Sequence, residues 1–199
     1  MIADVKKHYD MLIDEENDPF RDPPALKSYM DKWDGKIFID CMELSNNKTV
    51  LEIGIGTGRI AEKTAPICRK LYGIDISEKT VERAKENLSH LSNIELICAD
   101  FTEHIFNLKF DVIYSSLTFM HFEDKQFIIS KIADLLKNNG LFVLSIDKSQ
   151  SEYINFGTRK VKIYPDSPEK ISVCIKNTGL TVDELIETEF AYIFKIKNN

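Results

Sequence analysis

A glycine-rich turn between a predicted strand and a predicted helix constrains the fold of this chain more than any other feature. The turn Gly54-Ile-Gly-Thr-Gly58 follows the short apolar run Thr49–Ile53, and a helix is predicted over about 59–65, limited by Pro66. Glycines let the backbone approach a ligand closely, and a helix N-terminus offers free N–H groups. The turn therefore predicts a nucleotide-type site at the carboxyl end of a buried strand.

Short apolar runs alternate with amphipathic runs after Thr49. We predict further strands over 70–76, 94–98, 110–114 and 141–146. We predict helices over 78–88, with Ser77 as N-cap, and over 125–136, with the Asn-Asn-Gly run 138–140 as its stop. This alternation predicts an α/β fold in which helices cover a mostly parallel sheet.

The two ends of the chain have a different pattern. Residues 1–48 are predicted to be helical and irregular, since Pro19, Pro23 and Pro24 interrupt them. Ser167-Pro168 begins a helix that ends at Gly179, and the runs 181–187 and 190–197 are typical of an antiparallel hairpin. We therefore expect a single domain over 1–199. It has a helical N-terminal cap (1–48), a core (49–146) and a substrate-side loop, helix and closing hairpin (147–199).

Composition excludes several classes of protein. The chain has 199 residues, 43% of them hydrophobic and 29% charged, which is typical of a globular domain. The net charge of −6 disfavours a sequence-independent grip on nucleic acid. No apolar run is long enough for a membrane span, and residues 1–10 lack a secretion signal. The four cysteines are far apart, without a CxxC pair, so we expect reduced thiols in a cytoplasmic protein and no metal site.

Acidic residues recur at the carboxyl ends of successive predicted strands. Glu52 stands beside the end of the first strand, Asp75 ends the second and Asp100, followed by Phe101, ends the third. A carboxylate at the second strand, about 20 residues after the glycine turn, suits the hydroxyls of a ribose. A carboxylate with an aromatic neighbour suits the amine and the ring face of adenine. The glycine spacing GxGxG differs from the GxGxxG of pyrophosphate-binding turns, so these residues predict a pocket for adenosine without a pyrophosphate.

These features resemble the class I S-adenosylmethionine-dependent methyltransferases. The resemblance covers about 48–146 and, more loosely, the C-terminal hairpin. It implies a Rossmann-like, doubly wound, mostly parallel seven-stranded sheet that binds S-adenosylmethionine and releases S-adenosylhomocysteine. The matching segments are VLEIGIGTG (50–58), LYGIDIS (71–77), ICADF (97–101), DVIYSS (111–116) and LLKNNGLF (135–142).

The resemblance also implies which residues contact the cofactor. Gly54 and Gly56 approach its methionine and ribose portions, Asp75 holds the ribose, and Asp100 and Phe101 bind the adenine. The full predicted cofactor set is Glu52, Gly54, Gly56, Gly58, Asp75, Ile76, Asp100, Phe101, Ser115 and Ser116.

The segment after the fourth strand favours a small-molecule acceptor. The run SLTFMHF (116–122) is similar to the ubiquinone/menaquinone methylase branch of the family. The Asn/Asp-Pro-Pro-Tyr/Phe motif of the branches that methylate DNA or RNA amines is missing, because YSSL (114–117) stands in its place. We therefore expect a small molecule, and neither nucleic acid nor a membrane, as the partner of a monomer or homodimer.

His121 is the candidate catalytic residue, because it follows the fourth strand beside the predicted cofactor. It acts either as a general base or as a structural residue of that loop. Aromatic residues of the cap and of the later loop are candidates for the acceptor pocket, with Tyr9 as a lid residue. They are Tyr9, Tyr29, Trp33 and Tyr153.

The basic stretch that contains Arg159, Lys160 and Lys162 is more typical of a solvated strand edge than of a contact with an anionic acceptor.

Two alternatives to methyl transfer remain open from the sequence. One is a nicotinamide-dependent oxidoreductase, which the GxGxG spacing and Asp100-Phe101 disfavour. The other is a non-catalytic module that binds S-adenosylmethionine, since a fold does not fix a function. The methylated atom, O, N or C, also stays open.

Overall fold

The computed structural model describes residues 2–199. Helices and strands alternate through most of this range. The strands are β1 (Ile2–Ala3), β2 (Thr49–Ile53), β3 (Lys70–Asp75), β4 (Ile94–Cys98), β5 (Phe110–Ser116), β6 (Leu136–Asp147), β7 (Tyr153–Phe156), β8 (Arg159–Lys162), β9 (Thr181–Glu187) and β10 (Ala191–Lys197). The α-helices are α1 (Val5–Asp14), α2 (Pro24–Asp34), α3 (Lys36–Cys41), α4 (Ala61–Thr64), α5 (Glu78–Asn87), α6 (Lys125–Leu135) and α7 (Pro168–Asn177).

Seven strands form one sheet in the order β4-β3-β2-β5-β6-β10-β9. The first five are parallel, whereas β10 pairs antiparallel with both β6 and β9. The chain runs outward from β2 through β3 to β4, then returns to the other side of β2 as β5 and continues to β6. Ligands of such sheets bind outside the carboxyl ends of the strands at this point of reversal. The predicted Rossmann-like sheet with its C-terminal hairpin is confirmed.

Both faces of the sheet are covered, which explains why its central strands are buried along almost their whole length. Every residue of β2 is buried. Successive side chains of a strand point to opposite faces. Ile113 of β5 accordingly packs with Ile129 of α6, and its neighbour Val112 packs into the cluster of Phe38 from α3 and Leu88, which follows α5. Two apolar cores therefore fix the position of the strand ends that form the site.

The segment between α6 and β6 differs from the prediction. The helix ends at Leu135, and Leu136 already pairs with Phe110 of β5. The next pair joins Leu141 to Val112, so residues 137–140 bulge out of the strand. Asn139 has a φ of 60° there, and its N–H donates to the carbonyl of Asn198 (2.7 Å). The predicted helix stop at 138–140 is therefore wrong: this run is a bulge within β6, held by the C-terminal segment.

A second, three-stranded sheet in the order β1-β8-β7 joins the N-terminus to the segment after β6. Arg159 of β8 is buried, and its guanidinium donates to Glu15 (2.8 Å to Oε2) and to Nδ1 of His8 (2.9 Å). The expected solvated basic edge is therefore wrong for Arg159, because this side chain attaches α1 to the small sheet. Lys160 and Lys162 are exposed, as expected.

The four thiols are free: Cys41 and Cys68 are buried, Cys174 is half-buried and Cys98 is exposed. Within residues 2–199, no helix combines the length and the apolar character needed to cross a membrane.

Candidate functional site

A cavity of about 620 Å³ opens at the carboxyl ends of β2 to β5. The turns after these four strands line most of it, and α1 contributes Val5 and Tyr9. This volume falls within the range of small-molecule and cofactor sites, about 300–1,000 Å³. The cavity therefore lies where the strand order reverses, which is the expected place for a ligand.

The glycine turn between β2 and α4 forms one wall of this cavity. Gly54 and Gly58 are packed from behind: a Cβ on Gly54 would lie 1.9 Å from Oγ1 of Thr118, and one on Gly58 would lie 2.6 Å from Leu88. Gly56 differs, because a Cβ there would meet nothing within 4 Å. All three have positive φ, at 77°, 56° and 95° in chain order. The turn is thus fixed at its ends and leaves open space beside Gly56 for a ligand.

Asp75 ends β3 and faces the same cavity. Its Oδ2 accepts the N–H of Gly56 and its Oδ1 accepts the N–H of Ser77, both at 3.0 Å. Burial raises the pKa of this carboxyl, and the backbone donors oppose that effect. Each oxygen keeps a lone pair for a further donor. Asp75 is therefore held against the turn in a position to accept hydroxyl groups, and Ile76 lines the cavity beside it.

Asp100 and Phe101 line the part of the cavity after β4. Oδ1 of Asp100 accepts from the N–H and the hydroxyl of Thr102, both at 2.7 Å, whereas Oδ2 accepts no hydrogen bond from residues 2–199. Nζ of Lys131 donates to the carbonyls of Thr102 (3.0 Å) and His104 (2.8 Å). A free carboxylate oxygen beside an apolar ring fits an amine-bearing heterocycle.

Glu52 lines the cavity below the glycine turn and is almost completely buried. Its Oε2 accepts from the Tyr114 hydroxyl (2.8 Å), which also contacts the Thr64 hydroxyl (2.8 Å). Burial raises the pKa of Glu52 to about 8, against the lowering effects of Tyr114 and Arg59. Glu52 is therefore mostly protonated at neutral pH in the ligand-free protein.

A buried ion pair that the sequence analysis missed joins the cap to the glycine turn. Arg59, directly after Gly58, donates to Oδ1 of Asp34 (2.8 Å), and the Ser116 hydroxyl donates to Oδ2 (2.6 Å). Asp34 is buried at the end of α2, whereas Arg59 and Ser116 line the cavity. The position of Arg59 after the turn was a usable signal. A charged residue at a helix end, such as Asp34, carries none.

Tyr9 and His121 meet in the cavity lining, where α1 contacts the turn after β5. The Tyr9 hydroxyl lies 2.8 Å from Nε2 of His121, and the rings are perpendicular. Burial, with smaller effects of His8 and Lys125, lowers the pKa of His121 to about 4, so the imidazole is neutral at pH 7. Burial and the charge of Asp75 raise the pKa of Tyr9, which keeps its proton. Nδ1 of His121 is buried without a hydrogen-bond partner in residues 2–199.

Five residues of the predicted set do not line this cavity. The Ser115 hydroxyl donates to the carbonyl of Ile53 (3.0 Å) inside the sheet. Tyr29 and Trp33 pack with Phe190, and this packing attaches α2 to the sheet. Tyr153 lines a second cavity of about 330 Å³. Gly58 packs behind the turn on Leu88, and the other ten members of the predicted set are brought together. The members that line the main cavity are Tyr9, Glu52, Gly54, Gly56, Asp75, Ile76, Asp100, Phe101, Ser116 and His121.

Comparisons with known proteins agree with this geometry. Residues 51–144 match a family model described as a methyltransferase domain. An uncharacterized methyltransferase of Anoxybacillus flavithermus is 35% identical over 124 residues, which are 60% of this chain and 57% of that protein. The chain spans about half the length of the curated relatives it matches.

Solved structures show the same fold at low identity. The magnesium protoporphyrin IX methyltransferase of Synechocystis PCC 6803, with bound S-adenosylmethionine, superposes with a TM-score of 0.77 at 17% identity. That match covers 98% of this chain and 95% of the other. The [4+2]-cyclase SpnF superposes with a TM-score of 0.81 at 14% identity, over 100% of this chain and 97% of the other.

The fold and the site thus define a Rossmann-like domain with an adenosine-type pocket. Residues 51–144 are similar to the methyltransferase domain family, and solved S-adenosylmethionine-dependent methyltransferases share the fold at low identity. The residues present fit the cofactor of that family. The open space beside Gly56, the free lone pairs of Asp75 and the free oxygen of Asp100 lie along one cavity. Within residues 2–199, no group of three or more His, Cys, Asp or Glu side chains could hold a metal ion.

Proposed function

We propose that this protein transfers the methyl group of S-adenosylmethionine to a small-molecule acceptor. The observation that carries the proposal is the single cavity shared by two sets of residues. The glycine turn with Asp75 and Asp100 forms one part of its lining, and the Tyr9–His121 pair forms another.

The first set of residues accounts for cofactor binding. The ribose hydroxyls donate to Asp75, and Phe101 and Ile76 cover the adenine while Oδ2 of Asp100 accepts from its amine. Glu52 and Arg59 border the remaining end of the cavity. There Glu52 binds the ammonium group of the methionine portion, and Arg59 binds its carboxylate group. The cofactor supplies an activated methyl group on a positively charged sulfur. Since this transfer is an in-line displacement, alignment of the reactants is worth about 7–11 kcal/mol.

The second set accounts for alignment of the acceptor. A group with a pKa of about 4 removes a proton poorly at neutral pH, because general-base catalysis works best with a pKa near the operating pH. His121 therefore acts as a positioning residue. It holds the Tyr9 hydroxyl at the cavity, and Tyr9 contacts the acceptor. The proton that the acceptor loses on methylation passes to solvent.

A small molecule is favoured as the acceptor over a nucleic acid. The net charge is −6, and YSSL (114–117) stands where amine methylases of nucleic acids carry a proline motif. The carboxylates of Asp75 and Asp100 in the cavity lining also repel a phosphate backbone.

Calorimetric titration with S-adenosylmethionine, S-adenosylhomocysteine and NAD tests the cofactor. We expect binding of the first two ligands and none of NAD. Binding of NAD alone would overturn the proposal in favour of an oxidoreductase.

A cyclase shares this fold, so cofactor binding alone does not establish the reaction, and methyl transfer is measured in a second experiment. Incubation with methyl-labelled cofactor and a whole-cell extract, which contains metabolites, nucleic acids and proteins, should yield labelled small molecules. Label found only in nucleic acid or protein would contradict a small-molecule acceptor.

A further inference from the structure

A second cavity of about 330 Å³ lies beside the main one, and the proposed function leaves it unexplained. The residues that follow β6, together with β7 and the segment after β8, line most of it. It therefore belongs to the same edge of the main sheet as the cofactor cavity. Its volume falls at the lower end of the range for small-molecule sites.

The two cavities are separated by one short turn. Met120 lines the second cavity, and its neighbour His121 lines the main one. The turn is held in place by a hydrogen bond from the N–H of Tyr164 to the carbonyl of Met120 (2.8 Å). A molecule in the second cavity is thus one side chain away from the Tyr9–His121 pair.

Asp166 is the unusual group in the second cavity. Its side chain is only 3% exposed, and its Oδ1 has no hydrogen-bond partner in residues 2–199. Nζ of Lys125 lies 3.0 Å from Oδ1, which makes an ion pair. That lysine also donates hydrogen bonds to the carbonyls of Phe119 (2.6 Å) and Tyr164 (3.1 Å), so Asp166 shares this cationic neighbour with two other acceptors. A buried carboxylate is costly unless donors satisfy it, so Asp166 favours a ligand that brings a donor.

The other charged residue in the lining of this cavity, Asp147, is also negative. Asp147 lines it, with Oδ1 accepting from Ser149 and Oδ2 from Trp33. No Lys or Arg is part of the lining within residues 2–199. Lys160 and Lys162 of the neighbouring strand are exposed and lie over the rings of Tyr153 (5.1 Å) and Tyr164 (4.7 Å). With one carboxylate compensated by Lys125, the lining keeps a net negative charge.

We propose that the second cavity binds a protonated amine of the methyl acceptor, with Asp166 and Asp147 as its anchors. The rest of the acceptor passes Met120 and brings its nucleophilic atom to the main cavity. This inference rests on the proposed function and adds a substrate class to it, a small molecule with a cationic amine. An ammonium group supplies both the charge and the donors that the two carboxylates require.

A matched series of four-carbon probes tests the charge preference. Putrescine, butanediol and succinate each have a four-carbon skeleton, and their end groups are cationic, neutral and anionic. Their dissociation constants are measured by calorimetry on the full chain saturated with S-adenosylhomocysteine. We expect putrescine to bind at least about tenfold more tightly than butanediol, as a charge-assisted hydrogen bond requires. Equal affinity for butanediol, preference for succinate or no binding of putrescine would overturn the inference.

Two variants locate the bound probe. Asp166→Asn should weaken putrescine binding about tenfold or more, while Asp40→Asn, an exposed carboxylate of α3, should leave it unchanged. Unchanged affinity in Asp166→Asn would overturn the inference. If Asp166→Asn fails to fold, Met120→Trp decides: it should fill the second cavity and exclude putrescine, and normal putrescine binding there would overturn the inference.

The affinity for S-adenosylhomocysteine separates this inference from the proposed function. If the unaltered chain fails to bind it, the proposed function fails, and the putrescine series is then measured on the chain alone by the same criteria. If it binds and the putrescine series fails, the second inference alone falls.

Discussion

The Tyr9 hydroxyl and Nε2 of His121 lie 2.8 Å apart, although 112 positions separate the two residues in the chain. This contact joins α1 to the turn after β5. The same helix is fastened elsewhere, since the Ser77 hydroxyl donates to Asp10 (2.7 Å) and Arg159 pairs with Glu15. One side of the cavity therefore exists only when the N-terminal cap is docked on the sheet.

Tyr9→Phe should lower turnover more than it lowers cofactor affinity. The variant keeps the ring and removes the hydroxyl that meets His121, and a net hydrogen bond is worth about 0.5–1.5 kcal/mol. We expect a rate lower by about two- to tenfold, with a nearly unchanged dissociation constant for S-adenosylmethionine. Single-turnover kinetics and calorimetry measure the two quantities. His121→Gln should have a similar effect, and the double variant should be no slower than the slower single one, because the two residues act as a pair. Normal rates in both single variants would reduce the pair to a packing contact.

The pH dependence of stability should report the burial of His121. Its pKa is about 4 in the folded protein, against 6.5 for the free side chain. The unfolded chain therefore binds more protons between these values, and the free energy of unfolding falls as the pH drops from about 6.5 to 4. The contribution of this residue amounts to about 3 kcal/mol over the whole interval. Urea unfolding at several pH values should show a shallower fall for His121→Gln than for the unaltered chain.

His90 offers the control for this measurement, because it lies exposed beside Glu62. His90→Gln should keep the steeper fall of the unaltered chain. Identical pH profiles for the unaltered chain and His121→Gln would mean that His121 is solvated in the folded protein.

Asp75→Asn should weaken cofactor binding without unfolding the chain. The amide replaces one acceptor oxygen with an NH2 donor. This donor then faces a backbone N–H or a ribose hydroxyl, which are donors themselves and from which the carboxylate accepts. A lost charge-assisted bond predicts a dissociation constant at least about tenfold higher. Calorimetry with S-adenosylhomocysteine checks this, and Asp40→Asn should bind normally. An unchanged affinity in Asp75→Asn would show that the pocket is misassigned.

Local patterns in the sequence sufficed to predict the sheet and ten candidate residues that line one cavity. Buried parallel strands are continuous apolar runs, and Asp75 and Asp100 follow such runs directly, so their common position at the sheet edge could be predicted. The small sheet could not, because β1 has two residues and pairs with a strand far along the chain.

Of the two missed members of the ion pair, Asp34 lacked a local signal for a physical reason. Asp34 ends an amphipathic helix, where a charge normally faces water, and only the tertiary contact with Arg59 buries it. Trp33 was expected at the acceptor, but an aromatic ring on a helix serves equally well in packing, here against Phe190. Which of the two roles such a ring takes depends on neighbours that are distant in sequence.

Gly54 and Gly56 should respond differently to the same substitution, although both have positive φ and both lie in the turn. Alanine at either position meets the strain of the left-handed region, about 1–2 kcal/mol. Gly54→Ala also drives a methyl group into the Thr118 side chain, which predicts a further loss of about 1–3 kcal/mol in the free energy of unfolding. Gly56→Ala has no such clash, so its stability loss should stop at the strain.

A larger side chain at the open position, Gly56, should impair ligand binding more than it impairs stability. Gly56→Val projects into the space that the cofactor requires, so S-adenosylhomocysteine affinity should be lost while the chain stays folded. Urea unfolding and calorimetry on the same preparations separate the two effects. Normal cofactor binding by Gly56→Val would mean that the space beside Gly56 is not part of the site. Equal stability of Gly54→Ala and Gly56→Ala would mean that Thr118 does not pack against the turn.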